Sequence, residues 1–551
     1  MRATMMQYPL ILTSLFERAG KLFPDVEIVS RRPDSSIHRY TYREWHTRAR
    51  ALAAALQRYG IRPGDRVATL MWNHYAHLEA YFAIPVIGGI VHTLNLRLHS
   101  DELAYIINDA EDRILLVDDV LLPVFEKIRH RVNLERVIVF PFSGIPIPCS
   151  YEDYEAIIQQ SDADPVYPNL DENDGISMCY TSGTTGKPKG VVYSHRAIAL
   201  HSYSISLPDN FSISRKDTIL AAMSMFHANA WGFPFAAVMN GSKLVLPGPN
   251  LQPESLLELL STERVTLTGA VPTVWLSVAG ALEKEPQRWP LDHQLRIVVG
   301  GSACPEVLFR RLDRFGVQVI QAWGLTETAP IATVSNLHPR IAASTDDRRY
   351  ELRARQGIPV PFLDLRATDD SGEVPWDGTT PGEVQVKGPF VTASYFKMPD
   401  ESTKWTYDGW LRTGDVATID GAGSVKITDR AKDLIKSGGE WISSVDVENA
   451  LVAHSSVVEA AVVAVPHPKW QERPLALIVL KEGAKVSEED LRALLLKTFA
   501  KWQLPDGYVF VDELPHTSTG KLRKSELRDR YRNWACRIHD ADQHSAVLTP
   551  G

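Results

Sequence analysis

The sequence predicts an α/β protein: a large N-terminal domain of layered α/β subdomains with a β subdomain, hinged to a small C-terminal α+β domain. Three observations carry this reading. Helical patterns alternate with short apolar strands for most of the chain, from about Gly357 the strands become short and turn-rich, and a compositional seam lies at Asp429-Arg430-Ala431-Lys432-Asp433. At 551 residues the chain is also too long for one core.

In chain order, Tyr42 to Tyr59 reads as an amphipathic helix and Arg66 to Met71 as a buried strand. Leu78 to Gly88 reads as helix, followed by the strand Ile90 to Thr93. The unit repeats with Leu256 to Arg264 before Leu267-Thr268, and Arg296 to Val299 before another helix. This alternation implies largely parallel strands. Gly382 to Gly388 is a short strand of the β subdomain. Beyond the seam, Val445 to Ala453 reads as helix, Val457 to Val465 and Arg473 to Leu480 as strands, and Glu488 to Phe499 as helix. The expected organisation is therefore 1–428, a hinge at 429–435, a mobile domain at 436–540, and a polar, unpatterned and disordered tail at 541–551.

Bulk properties narrow the function. A net charge of −8 with no basic run argues against nucleic acid as a partner. Cys149, Cys179, Cys304 and Cys536 lack pairing or metal-ligand spacing, which fits a reducing compartment. The first twenty residues lack the long apolar core and cleavage site of a signal peptide, and the apolar stretch from Tyr81 to Val91 is too short to cross a bilayer. A soluble, cytoplasmic protein without a transmembrane segment is expected.

The most informative stretch is Tyr180-Thr181-Ser182-Gly183-Thr184-Thr185-Gly186-Lys187-Pro188-Lys189-Gly190. Glycines admit close backbone approach, hydroxyls donate to oxygens and lysines neutralise charge, so the loop suits a polyphosphate. Ile176 to Tyr180 and Val191 to Tyr193 flank it as strands, which makes it a hairpin. A Walker loop is excluded by the flanks and by spacing, because Pro188 stands where the second glycine would be needed.

Two further motifs follow strands. Arg296-Ile-Val-Val-Gly300-Gly301-Ser302-Ala303-Cys304-Pro305 enters a glycine turn, with Pro305 suited to a first helical position. In Gln321-Ala322-Trp323-Gly324-Leu325-Thr326-Glu327-Thr328, Trp323 offers a stacking face, Thr326 a phosphate donor and Glu327 a hard oxygen for Mg²⁺. A capping box at a helix start is the competing reading of this segment.

The loop closely resembles the nucleotide-binding signature of the adenylate-forming enzymes, which include acyl-CoA synthetases, firefly luciferase and the adenylation domains of peptide synthetases. The likeness runs from about residue 10 to 535, with five motifs in family order. It implies ATP contacts at Thr181, Ser182, Gly183, Thr184, Thr185, Gly186 and Lys189, with Gly301, Ser302 and Ala303 beside the adenine. Trp323 stands where the family usually has tyrosine, so stacking is kept and a phenol hydrogen bond is lost; Gly324 and Thr326 complete that motif. The resemblance gives Asp415, in Trp410-Leu-Arg-Thr-Gly414-Asp415, the ribose hydroxyls, with Arg430 as a second ribose-side residue.

It further implies a hinge at Lys432 and a thiol path along Lys436-Ser437-Gly438-Gly439-Glu440-Trp441, where paired glycines suit a passing pantetheine arm. The lysine of adenylation is Lys521, in Pro515-His516-Thr517-Ser518-Thr519-Gly520-Lys521. Met225-Phe226-His227-Ala228-Asn229-Ala230-Trp231 looks most like bacterial medium- and long-chain fatty acyl-CoA synthetases. His227, Asn229 and Trp231 are then expected to line an acid channel, with Gly301 near its mouth and Trp231 as wall or gate. The implied catalytic set is Lys521, Glu327, Thr326, Lys436 and His227, with Glu327 the metal ligand.

The implied activity is ATP- and Mg²⁺-dependent conversion of a fatty acid to acyl-AMP, then to acyl-CoA, with AMP and pyrophosphate as products. The alternatives are a short or methylthio-substituted acid, or acyl transfer to a carrier protein instead of free CoA. A kinase or ATPase would need an acceptor base and a strand lysine, which the chain does not offer; a nucleotide sensor would not need Glu327 and Lys521. The sequence leaves a homodimer open.

Overall fold

The computed structural model describes residues 1, 3–161, 164–181, 187–291, 294–336, 345–398, 403–437, 440–517 and 521–534. The chain forms two compact units. The larger comprises 1–413, 417–427 and, by its contacts, Lys521; the smaller comprises 414–416, 428–517 and the chain from 522 onward.

Two large sheets build the first unit. The seven-stranded one runs Glu152–Asp153, Arg136–Phe140, Asp112–Asp118, Arg66–Leu70, Ile90–Thr93, Gly175–Tyr180, Gly190–Ser194. Its strands are parallel except for the last pair, where Met178 faces Val192 and Tyr180 faces Gly190. The nine-stranded sheet runs Ile358–Pro359, Ile331–Ser335, Gln318–Gly324, Arg296–Val299, Leu267–Ala270, Thr218–Leu220, Lys243–Leu246, Glu27–Arg31, Ile37–Thr41. Its interior is parallel and its two margins antiparallel. Beyond it, Asp364–Asp369 pairs antiparallel with Gly372–Glu373 and Gly382–Lys387, the short turn-rich strands expected after Gly357.

One apolar cluster joins the two large sheets. Its centre is the helix Tyr75–Val86, buried on every side, as a helix apolar all round must be. The preceding helix, Tyr42–Arg58, starts where Thr41 and Glu44 form a capping box, and buries a stripe from Trp45 to Leu56. The Tyr75 helix begins three residues before the sequence reading, because His74 supplies no side-chain cap that could mark its start. Pro305 sits one position outside its helix, as the cap of Glu306–Asp313 rather than its first residue.

The smaller unit is α+β. Its sheet runs Glu440–Ile442, Ile435–Ser437, Gln471–Leu480, Val457–His467, with Gly507–Phe510 added parallel to Gln471–Leu480. Helices Ser444–Val452 and Glu488–Leu495 cover it, capped by Ser443 and Ser487. The second ends at Leu495 rather than Phe499. No described helix is long and apolar enough to cross a membrane.

Two histidines of the larger unit join distant segments through a backbone amide. His201 Nε2 accepts the Ile331 N–H at 3.1 Å, and His195 Nδ1 accepts the Leu12 N–H at 3.1 Å. Burial pushes His201 down to about 3 and His195 down to about 4, so both rings are neutral when folded. A histidine depressed on folding stabilises the fold fully above its unfolded value near 6.5, and that contribution is lost as pH falls towards the folded value. Denaturant unfolding should therefore lose about 1.4 kcal/mol per pH unit per such histidine between pH ~6.5 and ~5. His201→Gln keeps an acceptor without the titration and should flatten that slope by one histidine's share; an unchanged slope would contradict the assignment.

Candidate active site

The glycine-rich loop leaves strand Gly175–Tyr180 and returns in Gly190–Ser194. Its base is closed by two bonds: Thr181 N–H donates to Lys189 O at 2.9 Å, and Lys189 N–H to Thr181 Oγ1 at 3.2 Å. Ser182, Gly183, Thr184, Thr185 and Gly186 lie outside the described residues. From the base, Lys189 Nζ lies 5.0 Å from the ring centre of Tyr395, and the Tyr395 hydroxyl donates to Glu327 Oε1 at 2.6 Å.

Glu327 is held from several directions. Thr392 N–H donates to its carbonyl at 2.8 Å, and Tyr193, on the returning strand, donates its phenol to Thr326 O at 2.7 Å. Phe396 N–H reaches Gly190 O at 2.8 Å, which fastens the 392–396 segment to the loop's return strand. The Glu327 carboxylate is buried, with one oxygen on Tyr395 and the other without a hydrogen bond among the described residues. A hard, unshared carboxylate oxygen beside a phosphate loop fits Mg²⁺, which takes one or two carboxylates and completes its shell with phosphate oxygens and water. The described residues contain no group of three or more acidic, histidine or cysteine side chains that would form an all-protein cage.

The two glycine motifs come together because their strands are neighbours, Val299 pairing with Gln321. At Gly324 a Cβ would stand 1.7 Å from Pro330 O, so only glycine fits. Trp323 faces Thr333 across the antiparallel pair and is partly exposed, as is Ala303, while Ser302 is exposed. A Cβ at Gly300 would lie 3.3 Å from the Trp231 indole, and one at Gly301 would lie 3.5 Å from Lys521 Cε. The glycine pair thus touches the expected channel residue on one side and the expected catalytic lysine on the other.

Trp231 arrives there through an unusual turn. Ala228, Asn229, Ala230, Trp231 and Gly232 have φ of 43, 54, 47, 56 and 81°, a left-handed turn with four non-glycine residues. Each of those four costs roughly 1–2 kcal/mol against the right-handed form, so the surroundings must hold the turn. The segment before it is fixed by Asn73, which bonds Ala221 O, Met223 O and Met225 N, and by Tyr81 on Met225 O. Asn229 is buried, its amide oxygen accepting Ser177 Oγ–H at 2.8 Å. His227 is partly buried; burial first, then the Lys521 charge, pushes it down to about 3, so the ring is neutral near pH 7.

In the smaller unit, Gly414 takes φ of 78° and presents Asp415, which is buried and meets Arg430 Nε at 3.3 Å. Lys432 lies two residues on, its pKa lowered by burial against the opposing pull of Asp433. Lys436 Nζ lies 5.3 Å from the ring centre of half-exposed Trp441; Gly438 and Gly439 lie outside the described residues. Sequence reasoning missed Arg473, which donates to Ser437 Oγ at 2.9 Å, to Leu504 O at 3.0 Å and to Asp506. It also missed Lys524, buried against Glu448 at 2.7 Å and Ser444 Oγ at 2.6 Å. Neither position has a motif around it; in the larger unit the same holds for Tyr193, Thr392 and Tyr395.

Comparison with known proteins identifies the family. The AMP-binding enzyme family matches residues 16–396, and its C-terminal domain matches 446–521. The chain is 50% identical to a long-chain-fatty-acid–CoA ligase of Thermus thermophilus, over 97% of each chain. It is 41% identical to a medium-chain-fatty-acid–CoA ligase of Ectopseudomonas oleovorans, covering 96% of this chain and 98% of the other. Identity is also 41% with a 3-methylmercaptopropionyl-CoA ligase of Ruegeria pomeroyi, covering 97% and 99%. Among solved structures, an anthranilate CoA ligase in complex with anthranoyl-AMP superposes with a TM-score of 0.84 at 27% identity, covering 97% of this chain and 99% of that one. With both family domains matched in order and a relative half identical along almost its whole length, the chain belongs to the AMP-binding, adenylate-forming enzymes.

Proposed function

We propose that this protein is an AMP-forming fatty acid–CoA ligase acting on medium- to long-chain acids. The observation that carries the site assignment is the row Lys189, Tyr395, Glu327, in which the phosphate loop and the candidate metal ligand are linked through one phenol. The Thermus and Ectopseudomonas relatives favour an unsubstituted aliphatic acid. The Ruegeria relative keeps the methylthio-substituted acid as a second reading.

The chemistry runs in two steps. A carboxylate is a poor acyl donor because its leaving group would be oxide. A carboxylate oxygen of the acid therefore attacks the α-phosphorus of ATP, the bond to the bridging oxygen breaks, and pyrophosphate leaves. The CoA thiolate then attacks the acyl carbon of acyl-AMP, and AMP leaves with the former carboxylate oxygen. Negative charge gathers on the α-phosphate in the first step, and we assign Lys521, Lys189, Thr326 and the loop hydroxyls to oppose it. Mg²⁺ on Glu327 would neutralise phosphate charge. Neutral His227, beside Lys521, suits a neighbour of the acid carboxylate that adds no competing charge.

In the smaller unit Asp415 and Arg430 are assigned to the ribose, and Lys436, Trp441 and the glycine pair at 438–439 to the CoA thiol path. We assign the change between the two steps to rotation about 429–435, with Lys432 at the hinge. Cys149, Cys179 and Cys304 are unpaired, consistent with a reducing, cytoplasmic setting.

Acid-dependent pyrophosphate release across a series of linear acids tests the reading, and no acid-dependent release would refute it. In that assay Glu327→Gln should raise the Mg²⁺ requirement or lower the plateau; an unchanged titration would remove Glu327 from the site. Lys521→Ala should lose about 10²–10³ in acyl-adenylate formation yet still convert supplied acyl-adenylate and CoA to thioester. Gly439→Leu should do the reverse by obstructing the thiol path. Equal damage to both steps in both variants would leave a single fixed site and no role for rotation.

A further inference from the structure

Strand Gly175–Tyr180 supports two subsites at once. Its end leads into Thr181 and the phosphate loop, while Ser177, fully buried, points its hydroxyl at Asn229 Oδ1, 2.8 Å away. The Cys179 thiol lies 3.7 Å from the same oxygen and is a much weaker donor. The anchors from Asn73 and Tyr81 end at Met225, and Thr93 bonds Phe226 O at 3.3 Å, so all three stop before the left-handed turn begins. Among the described residues, the side-chain bonds that reach the turn itself come from Ser177 and Cys179. The turn has strong reason to unwind, because only Gly232 of its five residues takes a positive φ without penalty. At its far end Trp231 is pressed against Gly300.

We infer that Ser177 is a positioning residue for acid-length selection: through Asn229 its hydroxyl keeps the left-handed turn wound and so holds Trp231 where it closes the acid channel. The inference rests on the reading of Trp231 as channel wall. It predicts that the chain-length preference is set partly from a residue that contacts neither acid nor nucleotide. The same strand begins the phosphate loop, yet the hydroxyl faces the turn, so the effect should fall on the acid and spare ATP.

The test is kcat/KM for butanoate, octanoate and hexadecanoate in the unaltered enzyme, Ser177→Ala, Trp231→Ala and the double variant. Each methylene held in a dry channel is worth about fourfold in kcat/KM, so a shift in length preference is readily measured. Ser177→Ala should change the ratio between acids by at least about threefold, in the same direction as Trp231→Ala, with KM for ATP changed less than about twofold. The double variant should match Trp231→Ala alone, because the two act as one unit. Should Ser177→Ala fold poorly, Asn229→Ala takes its place, since alanine removes the accepting oxygen and relieves none of the turn's strain.

A common loss for every acid in Ser177→Ala, or effects that multiply in the double variant, would overturn the inference and leave the channel reading intact. A Trp231→Ala enzyme with unaltered length preference would overturn the channel reading and this inference with it.

Discussion

The Glu327 carboxylate is buried, and burial without a partner would cost several kcal/mol. One of its oxygens satisfies that demand with the Tyr395 phenol, and the other is the one assigned to the proposed cation. Much of the surrounding chain serves this arrangement. Tyr395 can reach Glu327 because Phe396 is fastened to Gly190 and Thr392 to the Glu327 backbone. Thr326 stays in register because Tyr193 bonds its carbonyl. The same return strand, Gly190–Ser194, therefore sets both the base of the phosphate loop and the position of the proposed metal ligand. An antiparallel pair at the edge of a parallel sheet suits this, since it places the loop and its return strand side by side without a crossover.

The acid side follows a different rule. There the backbone is strained rather than relaxed, with four non-glycine residues in left-handed conformation ahead of Gly232. Strain of this kind persists only where neighbours hold it: Asn73, Tyr81 and Thr93 fix the chain as far as Phe226, and Ser177 reaches the turn itself. The return is placement: Trp231 meets Gly300, whose neighbour Gly301 meets Lys521. Trp231 and Lys521, the residues assigned to the acid tail and to the reacting phosphate, thereby meet two adjacent glycines.

What the sequence disclosed depended on whether a function demands rare residues close together. The phosphate loop needs glycine, hydroxyl and lysine within eleven positions, and such a stretch is conspicuous. Helix starts were legible where a side chain caps them, as at Thr41, and not at His74, where none does. Tyr395 gave no signal, because its bond to Glu327 joins residues 68 apart through tertiary packing alone. The left-handed turn was equally silent, since alanine and tryptophan have no preference for positive φ. The bond from Ser177 to the Asn229 amide oxygen was silent too, because it joins residues 52 apart. Arg473 and Lys524 escaped notice because an exposed and a buried cation look alike in sequence.

Activation bonds one of the acid's own oxygens to the α-phosphorus. Incubation with ATP, CoA and an acid labelled with heavy oxygen in its carboxylate tests it directly, by mass spectrometry of the nucleotide. One labelled oxygen should appear in AMP for each acyl-CoA formed, with unlabelled pyrophosphate. Label in inorganic phosphate with ADP as the nucleotide product, or acyl-CoA formed with no label in AMP, would contradict it.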